Sequence, residues 1–465
     1  MVNPSEFLTW LIAWMICLLL TLWASRKDGT GSGLVISYVL QLWVIHWLAA
    51  AIYALPWYRT PDLPMLYGLR QSTYAIAGFG LGSTVIVPFV FRRYLGMAAA
   101  EARNDETADK WLVHAYLLVG VVTFFVLEPM LHSIPTVSAV ASSASNLLIV
   151  ALAMECWNGL QTDKRQQQSF WRWVLLSALL PFMTIATKGF LSYGFAAMLT
   201  VFSFVATFYR PRWKMVFFAA IIGYLALSMY VTYMRDRRDI RAVVWRQETY
   251  ASRVSAMVST FSNFEFLDLR NPDHLLRIDD RLNQNALLGV AVANLEVHPE
   301  QFANGRTIWE AVLSPIPRVL WPTKRIAAGS GDLVSEFTGI RFGEDTSVGI
   351  GHVMEWYVNF GSYGVFFGML GLGVLIGWMD RNAAIRIARG EWASFTFWWL
   401  PGLSLLQVGG SLVEAVSGGC ASLAVAVMIS RFRRSQERRQ GRHRPPLLDQ
   451  AAARPRLMPR RAVPR

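Results

Sequence analysis

The stretch MVFFAAIIGYLALSMYVTY at 215–233, followed directly by MRDRRDIRAVVWR at 234–246, decides the fold. The first part is nineteen residues without a charge, long enough for a helix to cross a hydrocarbon core about 30 Å thick. The second part carries five arginines in thirteen residues and belongs in water. The chain therefore passes from a membrane span into a polar segment at this point.

The composition extends this reading to the whole chain. Of its 465 residues, 54% are apolar and 16% are charged, whereas charged residues make up about a quarter of a soluble protein. We therefore predict an all-α integral membrane protein rather than a soluble enzyme. Eleven apolar runs predict its spans: 7–24, 34–55, 73–91, 111–128, 136–157, 171–187, 189–208, 215–233, 353–379, 392–408 and 411–430.

Cationic connectors test the order of these spans, because positive charge gathers on the cytoplasmic side of a membrane protein. They occur at every second boundary, which predicts an outer N-terminus, a cytoplasmic C-terminus and an outer location for residues 234–351. The connectors assigned to the cytoplasm contain Arg26, Lys27, Arg92, Arg93, Lys164, Arg165, Arg210, Arg212, Lys214, Arg381, Arg386, Arg389 and the tail after Arg431.

Four segments follow from this topology. Residues 1–233 form an N-terminal bundle, 234–351 a large outer loop, 352–430 the last helices and 431–465 a basic tail. The tail holds twelve arginines against two acidic residues, so it supplies most of the net charge of +13. We interpret it as a disordered topology anchor that touches anionic lipid, and we expect no nucleic acid as partner.

The outer loop is nearly neutral, but its basic residues are almost all arginine. It has fifteen acidic and fourteen basic residues, of which thirteen are arginine and only Lys324 is lysine. Arginine presents a planar set of donors that binds phosphate oxygens bidentately, which suits a fixed diphosphate contact. The plainer alternative is that most of these arginines pair with the loop's own carboxylates.

Two of the loop cations are framed by proline in SPIPRVLWPTKR at 314–325. The prolines restrict the backbone, so that Arg318 and Lys324 are held in place beside Trp321, a candidate for stacking on a sugar. A proline-rich turn anchored by aromatic side chains is the alternative. We expect secondary cationic contacts from Arg235, Arg306, Arg341 and Lys188.

A second candidate lies where the next span begins, in GHVMEWYVNFGSYG at 351–364. Helical spacing places His352, Glu355 and Asn359 on one face near the outer end of that span. An ionisable residue at membrane depth faces a cavity or a partner, so Glu355 is a candidate general base or ligand of a substrate hydroxyl. The alternatives are an ion pair between Glu355 and a loop arginine, and a hydrogen-bonded helix cap for His352.

These segments resemble the Wzy-type oligosaccharide repeat unit polymerases, which are related to the O-antigen ligases. NGRTIWEAVLSPIPRVLWPTKR at 304–325 is similar to that family's proline-framed arginine and lysine segment, and EWYVNFGSYGVFFGMLGLGVLIG at 355–377 is similar to the opening of its following span. Lys188, in a Thr-Lys-Gly turn, matches a position where arginine is commoner. The two longer matches cover about a tenth of the chain, and the wider superfamily has twelve spans rather than eleven.

The resemblance implies a metal-independent, cofactor-free glycosyltransferase of the GT-C type at the periplasmic face of a bacterial inner membrane. Such a polymerase transfers a growing glycan from undecaprenyl diphosphate to the next lipid-linked repeat unit. It implies Glu355 and Arg318 as catalytic residues, and a flippase and a chain-length regulator as partners. Contacts to substrate would come from Lys324, Arg306, Arg341, Arg235, His352, Lys188 and Trp321.

Three other functions stay open from sequence. An O-antigen ligase or O-oligosaccharyltransferase would use the same donor with a different acceptor. A lipid-linked sugar flippase would show internal repeats and broken helices near the bilayer midplane. A structural anchor would act through the basic tail alone.

Overall fold

In a computed structural model of the chain, the described residues are 2–92, 107–131, 135–161, 167–209, 213–316, 321, 330–342 and 348–439. These residues form helices and no strand, which confirms a helical membrane protein. Nine helices in the described part are long and apolar enough to cross a membrane. They are α1 (Pro4–Lys27), α2 (Leu34–Ala54), α3 (Leu63–Val90), α4 (Lys110–Leu131), α5 (Val137–Gln161), α6 (Gln168–Lys188), α7 (Leu191–Phe208), α14 (Gly351–Ala388) and α16 (Leu412–Arg433).

Seven further α-helices are described, six of them between α7 and α14 and one between α14 and α16. Helix α8 runs without interruption through the boundary at 233 into the arginine-rich stretch, and α15 has only 14 residues. The count of eleven spans therefore stays a prediction. The bounds are α8 (Trp213–Trp245), α9 (Tyr250–Ser262), α10 (Pro272–Leu282), α11 (Gln284–Val297), α12 (Arg306–Leu313), α13 (Ser330–Thr338) and α15 (Trp392–Leu405).

Helix α14 is broken, and this corrects the expectation of one continuous span at 353–379. Phe360 and Gly361 have non-helical backbone angles, with φ of −142° and 64°. A Cβ built on Gly368 would lie 2.1 Å from the Trp356 ring, although residues twelve apart in a continuous helix are separated by about 18 Å. Residues 351–359 therefore fold back along residues 362–388 as a re-entrant segment.

Three helix starts meet inside the bundle because of this fold-back. Gln284, the first residue of α11, lies against Gly351, the first residue of α14: a Cβ on Gly351 would be 2.3 Å from the Gln284 Oε1 atom. The His352 backbone N–H donates to the carbonyl of Val408, 3.0 Å away, in the turn between α15 and α16. The first residue of α16, Leu412, bonds to residue 355 in the same region. We call this meeting point the junction.

Helix α11, an apolar helix of 14 residues, packs deep against α3. The two backbones touch through glycine: a Cβ on Gly68 would lie 2.0 Å from the Asn285 carbonyl oxygen, and one on Gly289 would lie 1.6 Å from that of Pro64. Small residues permit such close approach of helices in a membrane. The polar segment thus sends a helix back into the bundle and brings Gln284 to the junction.

Residues 362–388 pack on α3 in the same way. Cβ atoms built on Gly373 and Gly78 would lie 2.3 Å from backbone carbonyl oxygens of the facing helix. At the far end, the buried Asp380 carboxylate accepts hydrogen bonds from the backbone N–H groups of Ser32 and Leu34, at 2.9 and 2.8 Å. The second half of α14 is therefore anchored to α3 and to the start of α2, and the re-entrant segment packs against it.

We predict that Gly68→Leu or Gly289→Leu separates α11 from α3. Each added side chain meets backbone, which cannot give way, so the expected cost is about 1–3 kcal/mol or more. Apparent Tm and the monodisperse fraction after heating measure this effect. Gly223→Leu is the matched control, because no atom lies within 4 Å of a Cβ at that exposed glycine. An equal Tm for the three variants would contradict the close packing of α11.

Candidate functional site

The junction buries the polar face of the re-entrant segment. His352 and Glu355 have no exposed surface and Asn359 is 1% exposed. Their one-turn spacing puts them on the same face of residues 351–359, as the sequence predicts. They lie on a segment that turns back into the bundle, rather than at the outer end of a continuous span.

The Glu355 carboxylate is held by the start of α16. The Leu412 backbone N–H donates to Oε2 at 2.6 Å. The first N–H groups of a helix lack intrahelical acceptors and carry partial positive charge, so they stabilise an anion. Oε1 accepts no hydrogen bond from a described residue, although the Thr307 side chain lies beside the carboxylate. One oxygen is thus fixed by the start of α16, and the other is buried beside the Thr307 side chain.

No described arginine or lysine pairs with Glu355, so the ion-pair alternative is not realised within the described ranges. Two more carboxylates, those of Glu414 and Glu310, are close enough to act on Glu355 electrostatically. Glu414 caps the start of α16 by accepting from the Ser411 backbone N–H at 3.2 Å. Within the described residues, no group of three or more His, Cys, Asp or Glu side chains is placed to hold a metal ion.

His352 connects the junction to α2. Its Nδ1 atom is 2.9 Å from the Tyr38 hydroxyl, and the two rings stack with centroids 6.0 Å apart. The other ring nitrogen, Nε2, has no partner in the described part of the chain. His352 is therefore more than the hydrogen-bonded cap that the alternative reading proposes, because one nitrogen is left for a ligand.

Asn359 joins the re-entrant segment to α12. Its Oδ1 accepts from the Gly305 backbone N–H at 2.9 Å, and its Nδ2 donates to the Thr307 hydroxyl at 2.7 Å. Gly305 has a φ of 88°, which favours glycine. The sequence pattern did not single out Thr307, since a threonine in the first turn of a short helix carries no distinctive signal. Asn359 places it next to Glu355.

An apolar groove leads away from His352. Its volume is about 640 Å³, within the range of about 300–1,000 Å³ that ligand pockets occupy. Trp356 and Phe360 close one side, and Gly371 leaves open space on the floor. The described lining comes from α12, α14, the end of α15 and the first turns of α16, and its residues are apolar except for His352 and Tyr363.

Three of the cations predicted from the sequence pair with carboxylates and do not line the junction: Lys188, Arg306 and Arg235. Lys188 lies 2.7 Å from Glu128, and Arg306 lies 2.5 Å from Glu336. Arg341 and Trp321 are exposed. Arg318 and Lys324 lie outside the described residues, so their placement as catalytic and binding residues stays a prediction.

Arg235 is the most fully occupied of these cations. Its guanidinium forms a two-point contact with Asp236, at 2.7 and 2.8 Å, and reaches Glu265 at 2.7 Å. Arg277 also binds Glu265, at 3.0 Å. The hydrogen bond from Arg235 is the main reason that the pKa of Glu265 is lowered. Arg235 therefore ties α8 to the segment after α9, as the ion-pair alternative for loop arginines proposes.

The Glu265 contact should make stability depend on pH. The carboxyl has an ordinary pKa of 4.5 and a lower one when folded, so its stabilisation is complete above pH 4.5 and is lost as pH falls through the folded pKa. We expect Glu265→Gln to lower apparent Tm at neutral pH and to flatten its fall between about pH 5 and pH 3. Glu300→Gln, at an exposed position, is the control. Parallel Tm curves for the Glu265 variant and the unmodified chain would refute this role.

Comparison with known proteins gives one match. The family model described as "Domain of unknown function (DUF8712)" matches residues 94–386, more than half of the chain. The match runs from the connector before α4 almost to the end of α14 and so includes Glu355. No curated protein and no solved structure matches the chain. The chain belongs to the DUF8712 family, a family of unknown function.

Proposed function

We propose that the protein is a glycan polymerase that transfers a growing chain from undecaprenyl diphosphate to a lipid-linked oligosaccharide repeat unit. The observation that carries this proposal is the position of Glu355. Its carboxylate is buried, has one oxygen that no described backbone group binds, and lies near the end of an apolar groove. An enzyme for a lipid-linked substrate needs a polar reacting centre beside a surface for the apolar tail.

The groove supports a lipid-linked substrate. Its lining is almost wholly apolar, and Phe367 and Leu375 on its wall are more than a third exposed. In a membrane these exposed side chains meet lipid. In our proposal, a polyprenyl tail enters the groove from the bilayer and its diphosphate-linked sugar lies near the junction.

Glu355 would act on the acceptor. The acceptor hydroxyl donates a hydrogen bond to Oε1, and its oxygen attacks the anomeric carbon of the growing chain. The bond from that carbon to the diphosphate oxygen breaks, the hydroxyl proton passes to Glu355, and undecaprenyl diphosphate leaves. Arg318 and Lys324 remain the proposed contacts to the leaving diphosphate, with Trp321 and Arg341 as further contacts.

The finer assignments belong to the same proposal. They are a GT-C type of fold, the bacterial inner membrane, a periplasmic N-terminus with a cytoplasmic C-terminus, and cooperation with a flippase and a chain-length regulator. Cationic connectors and the resemblance of residues 304–325 and 355–377 to Wzy-type polymerases support them. An O-antigen ligase would use the same groove and carboxylate with a different acceptor.

One observation favours a transporter as a second candidate. Helix α14 is broken at Phe360, and the ends of several helices meet at the junction, as happens in many secondary transporters. Against it, the sequence has no internal repeat. Incubation of the purified protein with undecaprenyl diphosphate-linked repeat units decides among the three. A ladder of products without a second acceptor supports a polymerase, product only with another acceptor supports a ligase, and no product supports a transporter.

We expect Glu355→Gln to reduce polymer formation by about 100-fold or more, because a positioned general base contributes about that much. Glutamine still accepts the Leu412 N–H, so the helix contact and the fold are kept. Ladder formation by purified protein measures the effect. Glu300→Gln makes the same chemical change at an exposed position and serves as control. Full activity of the Glu355 variant would overturn the assignment.

The groove has its own test in Gly371→Phe. Beyond the backbone of its own helix, no atom of a described residue lies within 4 Å of a Cβ at Gly371, so the added ring occupies the groove without disturbing its walls. We expect KM for the lipid-linked donor to rise about tenfold or more, the loss of a few buried CH₂ groups, with apparent Tm unchanged. Gly223→Phe adds the same ring at an exposed site. An unaltered KM in Gly371→Phe would exclude the groove as the tail site.

A further inference from the structure

Three arginines near the outer end of α8 have no ion-pair partner among the described residues. They are Arg237 and Arg241, one turn apart on α8, and Arg281 in the last turn of α10. Arg235, in contrast, forms ion pairs with two carboxylates. An arginine without a counter-charge has donors to offer to a ligand.

The three guanidinium groups share one environment. Arg241 and Arg281 both lie close enough to Arg237 to act on it electrostatically, and the sign of both effects is repulsive. Burial, followed by these two neighbours, lowers the pKa of Arg237 to about 10. Like charges one turn apart destabilise a helix, so the protein keeps an unfavourable grouping of charge here. A bound anion would relieve it.

Aromatic side chains fix Arg241, the most buried member of this arginine cluster (Arg237, Arg241 and Arg281), in place. The Arg241 guanidinium lies 4.2 Å from the centre of the Phe190 ring and 5.3 Å from that of Trp245. Its Nε donates to the Gly189 carbonyl oxygen at 3.2 Å. Arg241 is only 8% exposed. A cation held this rigidly needs little rearrangement when it binds an anion.

The nearest carboxylate leaves the cluster positive. Asp280 precedes Arg281 and is close enough to interact with it, but no ion pair forms between them. Asp280 also lies near Asp279 and Arg59. Tyr230 and Tyr233 border Arg237 on the other side and carry hydroxyl groups rather than negative charge. Asp280 therefore forms an ion pair with none of the three arginines, and the cluster keeps its positive charge.

The arginine cluster is linked to the junction through Tyr193. Glu414 and Arg241 both lie close enough to the Tyr193 side chain to interact with it electrostatically, and Glu414 acts in turn on Glu355. Tyr193 is thus the residue that the arginine cluster and the junction have in common.

We propose that Arg237, Arg241 and Arg281 form a binding site for a diphosphate group. Guanidinium groups on two helices match the several oxygens and negative charges of a diphosphate, which they bind through paired hydrogen bonds. The role of this site in holding the leaving diphosphate of the lipid-linked donor rests on the proposed function. The binding of a diphosphate by the three arginines does not depend on that function.

Equilibrium binding of labelled inorganic pyrophosphate and of farnesyl diphosphate to the full chain tests this site. We expect the double variant Arg237→Gln with Arg281→Gln to weaken both affinities by about tenfold or more, since one charged hydrogen bond accounts for about that factor. Arg238→Gln with Arg246→Gln removes the same charge from exposed positions on α8 and directly after it, and should leave both affinities unchanged. Apparent Tm confirms that each double variant is folded.

Equal losses in the two double variants, or none in either, would overturn the site. The source of the phosphate is tested by repeating the titration in nanodiscs with and without phosphatidylglycerol. Unchanged pyrophosphate affinity supports a diphosphate ligand, and full competition by the anionic lipid would replace it with a lipid headgroup. The proposed function fails separately: if no lipid-linked glycan is polymerised while binding still depends on Arg237 and Arg281, the diphosphate site stands alone.

Discussion

The hydrogen bond from the Leu412 backbone N–H to Glu355 is the contact on which the rest of the site depends. Helix ends inside a membrane bundle have backbone groups that lipid cannot satisfy, so each end must find a protein partner. Leu412 finds a carboxylate, and the His352 N–H finds the Val408 carbonyl. These contacts hold the re-entrant segment in place, and they leave Glu355 Oε1 and His352 Nε2 without a described partner.

The same contacts explain why a carboxylate can remain in this apolar setting. Burial of an unpaired charge is costly, and the positive end of α16 offsets part of that cost. The sequence suggested an arginine for this task, but no described arginine of residues 234–351 pairs with Glu355. Arg241 of the arginine cluster and Glu414 beside the junction both lie close enough to Tyr193 to interact with it electrostatically.

Much of the fold follows from the sequence, because hydrophobic length and cationic connectors are local properties. The common face of His352, Glu355 and Asn359 follows too, since it depends only on helical period. The fold-back at Phe360 does not: hydropathy is insensitive to the direction of a helix, and residues 353–379 are apolar enough for a single span. The partner of Arg235 is likewise hidden, because Glu265 lies thirty positions away and is brought near by tertiary packing.

The bond between Leu412 and Glu355 also bears on how the protein is made. Fifty-seven positions separate the two residues, so α14 leaves the ribosome well before α16. During that interval residues 353–379 are one long, mostly apolar stretch, and the carboxylate of Glu355 has no helix end to receive it. The re-entrant shape can therefore be completed only after α16 has entered the membrane. The site therefore forms late in biosynthesis, after the last helix has been inserted.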